Sequence, residues 1–130
     1  MRGVDTNVLV RFLVRDDLEQ ARKATEFLIA QCSAEDSGVV NHIVLCELVW
    51  VLGNSYAYPR DAVARALDGI LEAVQLSVPD RNDVRSAIVE FQEGGDFADA
   101  LIRLANLRRG CAYTVTFDRR AAKRTGFRAL

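Results

Sequence analysis

The sequence predicts an α/β protein, a three-layer α/β/α sandwich whose mostly parallel sheet is covered by helices on both faces. The order of strand-like and helix-like stretches predicts it. Short apolar stretches typical of strands alternate with longer stretches of helical periodicity along the whole chain. That alternation is typical of parallel strands joined by helices that pack on the sheet. The length of 130 residues suits one domain, so we assign residues 1–130 to a single domain.

The first part of the chain begins with a strand, "RGV", which ends at Asp5. "TNVLVRFLV" follows with apolar residues at helical spacing, and residues 17–33 form a second amphipathic helix. After the strand "SGVV", Asn41 is suited to cap the next helix. Pro59 fits the first turn of a helix that runs to about Ala73, and "VQLSV" is the third strand.

The later part of the chain repeats the pattern. Residues 79–80, Pro-Asp, open a helix that the glycines at 94–95 end. "DFADALIRLANLRRG" is a further helix, and "AYTVTF" is a strand followed by Asp118. A short helix and a weak final strand, "FRAL", complete the chain. Because sites in open parallel sheets form beyond the carboxyl ends of the strands, we expect Asp5 and Asp118 at the same edge.

Composition excludes several classes of protein. The cysteines are odd in number and far apart, without a CxxC motif, and there is one histidine, so neither a disulfide framework nor a thiolate zinc site is expected. Asp5 and Arg11 interrupt the only N-terminal apolar run, which argues against a signal peptide. The apolar run at residues 43–52 is far shorter than the roughly 20 residues of a membrane span. We therefore expect a soluble, cytoplasmic protein with no membrane partner.

Positive charge is concentrated at the end of the chain. From Arg103 onward there are eight basic residues and one acid, a net charge of +7, whereas the whole chain carries −1. This separation suits a polyanionic partner held beside an acidic site. It equally suits a solvated arginine-rich helix.

Glu47 is the one polar residue in the apolar run at residues 43–52. Its neighbours three and four residues away are all apolar, so no cation on its own helix reaches it. If it is buried, its charge is compensated from elsewhere in the fold or the carboxyl group is protonated. The alternatives are an exposed position between two apolar faces, or a pair with a distant arginine.

The other acids also have ordinary structural explanations. Asp5 and Asp118 can each cap the helix that follows. Asp96 and Asp99 share one helix face, with Asp96 suited to the N-cap and Asp99 favoured by the helix dipole. Arg103, four residues beyond Asp99, can pair with it.

If these five acids meet at one edge of the sheet, their negative charges repel one another. Two carboxylates about 4 Å apart repel by roughly 4 kcal/mol at an effective dielectric constant near 20. Such a cluster requires bound cations or raised pKa values. Its ligands are hard oxygens, which suit Mg²⁺ or Mn²⁺, and such a metal site hydrolyses phosphodiesters without a serine, cysteine or histidine nucleophile. His42 is interpreted as an ordinary residue of its helix's first turn.

The motifs "VDTNVLVRFL", the acid of "CELVWVL", "DFADALI" and "TVTFDRR" together resemble the four acidic motifs of PIN-domain ribonucleases. The likeness is strongest to the VapC-type toxins of bacterial type II toxin–antitoxin modules. It extends from Met1 to about Phe127, and all four motifs come in the family's order. The family's acids match Asp5, Glu47, Asp99 and Asp118, with Asp96 as an additional acid; its supporting polar residues match Thr6, Asn7 and Thr116.

The resemblance implies a five-stranded parallel sheet in the order 3-2-1-4-5 and Mg²⁺- or Mn²⁺-dependent endonucleolytic cleavage of single-stranded RNA regions. It also implies a homodimer and a small antitoxin that occludes the acidic pocket. Asp5, Asp99 and Asp118 would bind the metal. Glu47 would bind metal directly or through water, or take a proton from the attacking water. The RNA phosphates would be held by basic residues of the tail: Arg103, Arg119 and Arg120.

Two other functions fit less of the sequence. A phosphoacceptor receiver domain shares the size and an acidic Mg²⁺ pocket. It needs paired acids after the first strand and a lysine after a late one, whereas the only lysines are Lys23 and Lys123. The second is a PIN-like domain that binds RNA or a partner without cleaving RNA. The complete set of acids argues against it, and a cleavage assay separates it from a nuclease.

Overall fold

The computed structural model describes residues 1–130 and divides the chain into two compact units, Met1–Arg81 and Asn82–Leu130. No helix in it combines the length and the apolar character that crossing a bilayer requires. All three cysteines are free thiols.

The first unit contains three strands and four α-helices. The second of these helices continues as a π-helical segment, Glu26–Gln31. In chain order the elements are β1 (Arg2–Gly3), α1 (Thr6–Val14), α2 (Leu18–Thr25), β2 (Gly38–Val39), α3 (His42–Ser55), α4 (Arg60–Glu72) and β3 (Leu76–Ser77).

The three strands of the first unit form a parallel sheet with β2 in the middle. Gly38 of β2 pairs with Arg2 on one side and Leu76 on the other. A Cβ at Gly38 would lie 2.8 Å from Cγ2 of Val4 and 3.2 Å from Cδ2 of Leu76. The centre of the sheet therefore requires glycine, because apolar side chains from both sides close over it.

Side chains set the start of several helices in this unit. Asn41 caps α3, its Oδ1 accepting from the backbone N–H of Val44 at 2.9 Å, which confirms the predicted cap. His42 opens the helix, and its Nε2 lies 2.6 Å from the carbonyl oxygen of Pro79, an ordinary structural contact. Pro59 is the N-cap of α4 rather than a residue of its first turn.

The core of the first unit comes mainly from helices α3 and α4. Leucines on these helices are almost completely buried, and Leu9 of α1 and Val40 beyond β2 join them. The leucines are Leu45, Leu48, Leu52, Leu67 and Leu71. Burying such side chains contributes about 1.5–3 kcal/mol each, so this packing holds the unit together.

The second unit contains two helices, two strands and a 3₁₀ turn at Ala121–Lys123. Its other elements are α5 (Arg81–Gln92), whose first residue belongs to the first unit, α6 (Phe97–Arg108), β4 (Thr114–Thr116) and β5 (Phe127–Ala129). The strands pair in parallel, with Val115 opposite Arg128. Phe91 and Phe97 pack edge to face in the core, with ring centroids 6.5 Å apart.

The α/β class predicted from the sequence is confirmed: helices alternate with strands, and every strand pair is parallel. A single five-stranded sheet is not clearly shown. The strands form one sheet of three, with β2 between β1 and β3, and one sheet of two, β4 and β5; these neighbours agree with the expected order 3-2-1-4-5 within each sheet. Each strand has only two or three residues in its ladder, so few hydrogen bonds define the pairing.

Candidate active site

The first acidic position lies directly after β1. Oδ1 of Asp5 accepts a hydrogen bond from the backbone N–H of Thr6 at 2.8 Å, so Asp5 caps α1. The side chain is exposed, and its second carboxylate oxygen accepts no hydrogen bond. The predicted capping role is therefore real, and it uses only one of the two oxygens.

The second acidic position is brought beside the first by a hydrogen bond. The hydroxyl of Thr6, which is buried, donates to Oε1 of Glu47 at 2.9 Å. The two residues are 41 positions apart in the chain. Thr6 thus links α1, which Asp5 caps, to the helix that carries Glu47.

Glu47 is exposed rather than buried. Of the alternatives open from the sequence, the exposed position between apolar faces is the one observed. Ile43 and Trp50, four residues before it and three after it, are 73% and 62% exposed. Because the leucines of α3 face the core while Glu47 faces outward, the carboxylate needs no buried cation.

In the second unit, Asp96 and Asp99 stand at the start of α6. Oδ1 of Asp96 accepts from the backbone N–H of Asp99 at 2.8 Å and caps the helix. Asp96 is exposed, whereas Asp99, in the first turn, is half-buried. Neither oxygen of Asp99 accepts a hydrogen bond, and Arg103 does not pair with it.

Asp118 follows β4 and is held by the backbone around it. Its Oδ1 accepts from the N–H groups of Arg120 and Ala121 at 2.8 and 3.1 Å. Its own N–H donates to Oγ1 of Thr116 at 3.0 Å, so Thr116 supports this acid as the resemblance implies. Oδ2 of Asp118 accepts no hydrogen bond.

The carboxylates of the second unit influence one another. Burial raises the pKa of Asp99 above its ordinary value, and the negative charges of Asp96 and Asp118 raise that pKa further. The ionised form of Asp99 is therefore disfavoured unless positive charge is supplied. A cation bound near these three carboxylates would remove the penalty.

The donor set fits a hard divalent cation. The available donors of the five candidate residues are all carboxylate oxygens. A donor set without histidine or cysteine does not match a typical zinc site. The structure contains no group of three histidine, cysteine, aspartate or glutamate side chains arranged to hold a metal ion. The chemistry of the donors thus suits Mg²⁺ or Mn²⁺, although their side chains are not arranged as a coordination sphere.

The predicted supporting and RNA-binding residues have different surroundings. Thr6 forms hydrogen bonds with Asp5 and Glu47, the two candidate acids of the first unit. Asn7 is exposed, and its side chain makes no hydrogen bond. Arg119 and Arg120 are exposed and form no ion pair. They are free to contact a polyanion.

Arg103 is held inside the second unit. It forms an ion pair with Glu90, and only 13% of its side chain is exposed. Gly126, at φ +89°, passes so close that a Cβ there would lie 2.5 Å from Cδ of Arg103. Glu90 has no recognisable signal in the sequence, because an i, i+13 pair between two helices leaves no periodic pattern.

The chain belongs to the PIN domain family, whose model matches residues 4–127. PIN domains are in general nucleases that use divalent metals and act on RNA or other nucleic acids. No curated protein matches the chain. The family match spans all four acidic motifs, from Asp5 to Asp118.

Proposed function

We propose that the chain is a Mg²⁺- or Mn²⁺-dependent endoribonuclease and the toxin of a toxin–antitoxin pair. One observation carries the proposal most directly: within a PIN domain, burial and then the charges of Asp96 and Asp118 raise the pKa of Asp99. Mutual repulsion of this kind is relieved by the cation that the reaction needs.

In this proposal Asp5, Asp99 and Asp118 bind the metal, and Asp96 is an alternate or water-mediated ligand. Asp5, Asp96 and Asp118 each keep one oxygen in a backbone hydrogen bond, which fixes the carboxylate while leaving its other oxygen for the cation. Asp99 has both oxygens available. The backbone bonds therefore fix one oxygen of each of the other three carboxylates.

A bound divalent cation would lower the pKa of a water molecule and withdraw charge from the scissile phosphate. Glu47 is suited to take the proton of the attacking water, because Thr6 holds Oε1 and leaves Oε2 exposed. Arg119 and Arg120 hold backbone phosphates on either side of the cleaved bond. Arg103, paired with Glu90, serves the substrate only by fixing α6.

The toxin assignment rests on the resemblance of the four motifs to VapC-type toxins. It brings two partners into the proposal, a small antitoxin that covers the acidic residues and a second copy of the chain. The exposed apolar side chains of Ile43 and Trp50 lie on either side of Glu47 along α3 and are available to such a partner. A cytoplasmic location and a single sheet in the order 3-2-1-4-5 belong to the same proposal.

The test is cleavage of a single-stranded RNA by purified protein in Mn²⁺. We expect defined new RNA ends with the unmodified protein. Asp99→Asn should lower the rate by at least about 10², because a single group that stabilises transition-state charge is worth roughly that much. EDTA should stop cleavage, and added Mn²⁺ should restore it.

The matched control is Glu93→Gln, which removes an exposed acid of the same unit that makes no ion pair. It should cleave at the unmodified rate. The alternative function, RNA or partner binding without cleavage, is favoured by the lack of a preformed three-ligand group. RNA bound but left intact by the unmodified protein, with Mn²⁺ present, would establish that alternative and reject the nuclease.

A further inference from the structure

Exposure alternates along β4 and the residues on either side of it, from Tyr113 to Phe117. Tyr113, Val115 and Phe117 are 41%, 53% and 83% exposed, whereas Thr114 and Thr116 between them are half-buried. Val115 is the exposed residue of β4, Tyr113 directly precedes the strand and Phe117 follows it at a bend. Two exposed aromatic rings thus flank the exposed valine along five consecutive residues.

An arginine of the neighbouring strand lies beside Tyr113 and Val115. Arg128 pairs in register with Val115, and its guanidinium carbon is 3.9 Å from the centroid of the Tyr113 ring. This is a cation–π contact. The guanidinium makes no hydrogen bond, so its N–H donors remain available to a ligand. We call Tyr113, Val115, Phe117 and Arg128 the β4 face.

The backbone on both sides of Phe117 is held by hydrogen bonds. Asp118 donates its N–H to Oγ1 of Thr116, and its carboxylate accepts from Arg120 and Ala121. The Phe117 ring is therefore presented on an ordered segment, directly before a proposed metal ligand. A ligand that stacks on the ring incurs little of the ordering cost that a mobile loop would impose.

The charge around the β4 face selects the kind of partner. Arg119, Arg120 and Lys123 are exposed and form no ion pair, and Asp118 is the only acid from Arg103 to the end of the chain. A second apolar protein surface would have to neutralise these cations. A polyanion with flat apolar groups complements both the charge and the rings.

We propose that the β4 face binds unpaired bases of single-stranded RNA, with one base stacked on Phe117 beside Asp118. The inference rests on the proposed ribonuclease function and names what selects its substrate. Aromatic rings flanked by basic residues bind single strands because every base has a π-face. In a duplex those faces are already stacked, so the preference for unpaired RNA follows from the face itself.

The test is the affinity for a labelled single-stranded RNA, measured in the Asp99→Asn background so that the probe is not cleaved. Phe117→Ala and Phe117→Leu should both raise Kd by about 5- to 150-fold, the range for loss of one stacked base. Leucine keeps the apolar surface but not the ring, so its failure identifies stacking. Phe117→Trp should restore affinity.

Two controls separate stacking from other effects. Leu107→Ala removes another exposed apolar side chain of the same unit and should leave Kd unchanged. The salt dependence of binding should be the same with and without Phe117, because stacking releases no counterions. Affinity for a duplex of the same sequence should not respond to Phe117→Ala.

Unchanged single-strand affinity in Phe117→Ala overturns the inference, whatever the cleavage assay shows. So does a change in the oligomeric state of Phe117→Ala at constant RNA affinity, which would make the face a contact between copies of the chain. Loss of RNA affinity in that variant, in a protein that never cleaves RNA, supports the inference and rejects the proposed nuclease instead.

Discussion

At three acidic positions one carboxylate serves both the fold and the proposed chemistry. Asp5, Asp96 and Asp118 each give one oxygen to a backbone N–H and keep the other unpaired. Asparagine preserves the accepting oxygen and removes the charge, whereas alanine also removes the cap, at a cost of about 1 kcal/mol. Asparagine is therefore the substitution that separates function from stability.

Asp99 makes the stability of the protein depend on pH. Its pKa is raised in the folded protein by burial and by Asp96 and Asp118, so the neutral acid is the form that the fold favours. That contribution is fully present below the ordinary value of 3.8 and is lost as pH rises through the folded pKa. At neutral pH the ionised Asp99 thus lowers the free energy of unfolding.

We accordingly expect Asp99→Asn, in EDTA, to have a higher Tm than the unmodified protein at neutral pH. The gain should be modest, because Asp99 is only half-buried and solvent screens the repulsion. It should shrink as pH falls below 3.8, where both side chains are neutral. Thermal unfolding followed by circular dichroism measures it; a lower Tm for the variant at neutral pH would show that Asp99 makes a stabilising contact instead.

The sequence identifies the acidic residues better than their surroundings. Asp5, Asp96 and Asn41 are predictable as caps because their side chains bond to nearby backbone, and short-range bonds are visible in spacing. The bond from Thr6 to Glu47 spans 41 residues, and no local pattern encodes it. The exposure of Glu47 likewise depends on which side of α3 meets the core.

Among the elements, the helices are predicted closely and the strands only roughly. The stretch "TNVLVRFLV" coincides with α1, because Asp5 caps its start and Arg15, at φ 61°, ends it. Residues 17–33 contain an α-helix that continues as a π-helix, a change that the amphipathic pattern does not distinguish. The strand predicted at "VQLSV" is shorter in the structure, Leu76–Ser77, since pairing with β2 alone defines it.

The salt dependence of RNA binding tests whether the basic tail, the residues from Arg103 onward, contacts RNA. Arg119→Ala with Arg120→Ala should weaken single-stranded RNA binding. The slope of log K against log salt should become shallower by about 0.7 for each phosphate that the variant no longer neutralises. Arg22→Ala with Lys23→Ala, two exposed neighbouring cations of α2, is the matched control. An unchanged slope in the tail variant would make the tail a solvated surface.

For the molecule as a whole, the class of fold is predictable from the periodicity of the sequence, whereas the pairing of the strands is not. Periodicity predicts helices alternating with parallel strands, and the structure has both. It cannot specify which strand edges pair when each ladder is two or three residues long, and here the strands form sheets of three and two. The assignment of residues 1–130 to a single domain stays a prediction beside the two compact units.

The proposed function requires Asp5 and Asp99 each to bind a divalent cation. Mn²⁺ affinity, measured by calorimetry, tests this requirement with Asp5→Asn from the first unit and Asp99→Asn from the second. Glu35→Gln and Glu93→Gln, exposed acids of the same units, are the controls. Each of the first two variants should weaken Mn²⁺ binding roughly tenfold or more, while the controls bind as the unmodified protein does. Unaltered Mn²⁺ binding by either Asp5→Asn or Asp99→Asn would contradict the role proposed for that residue.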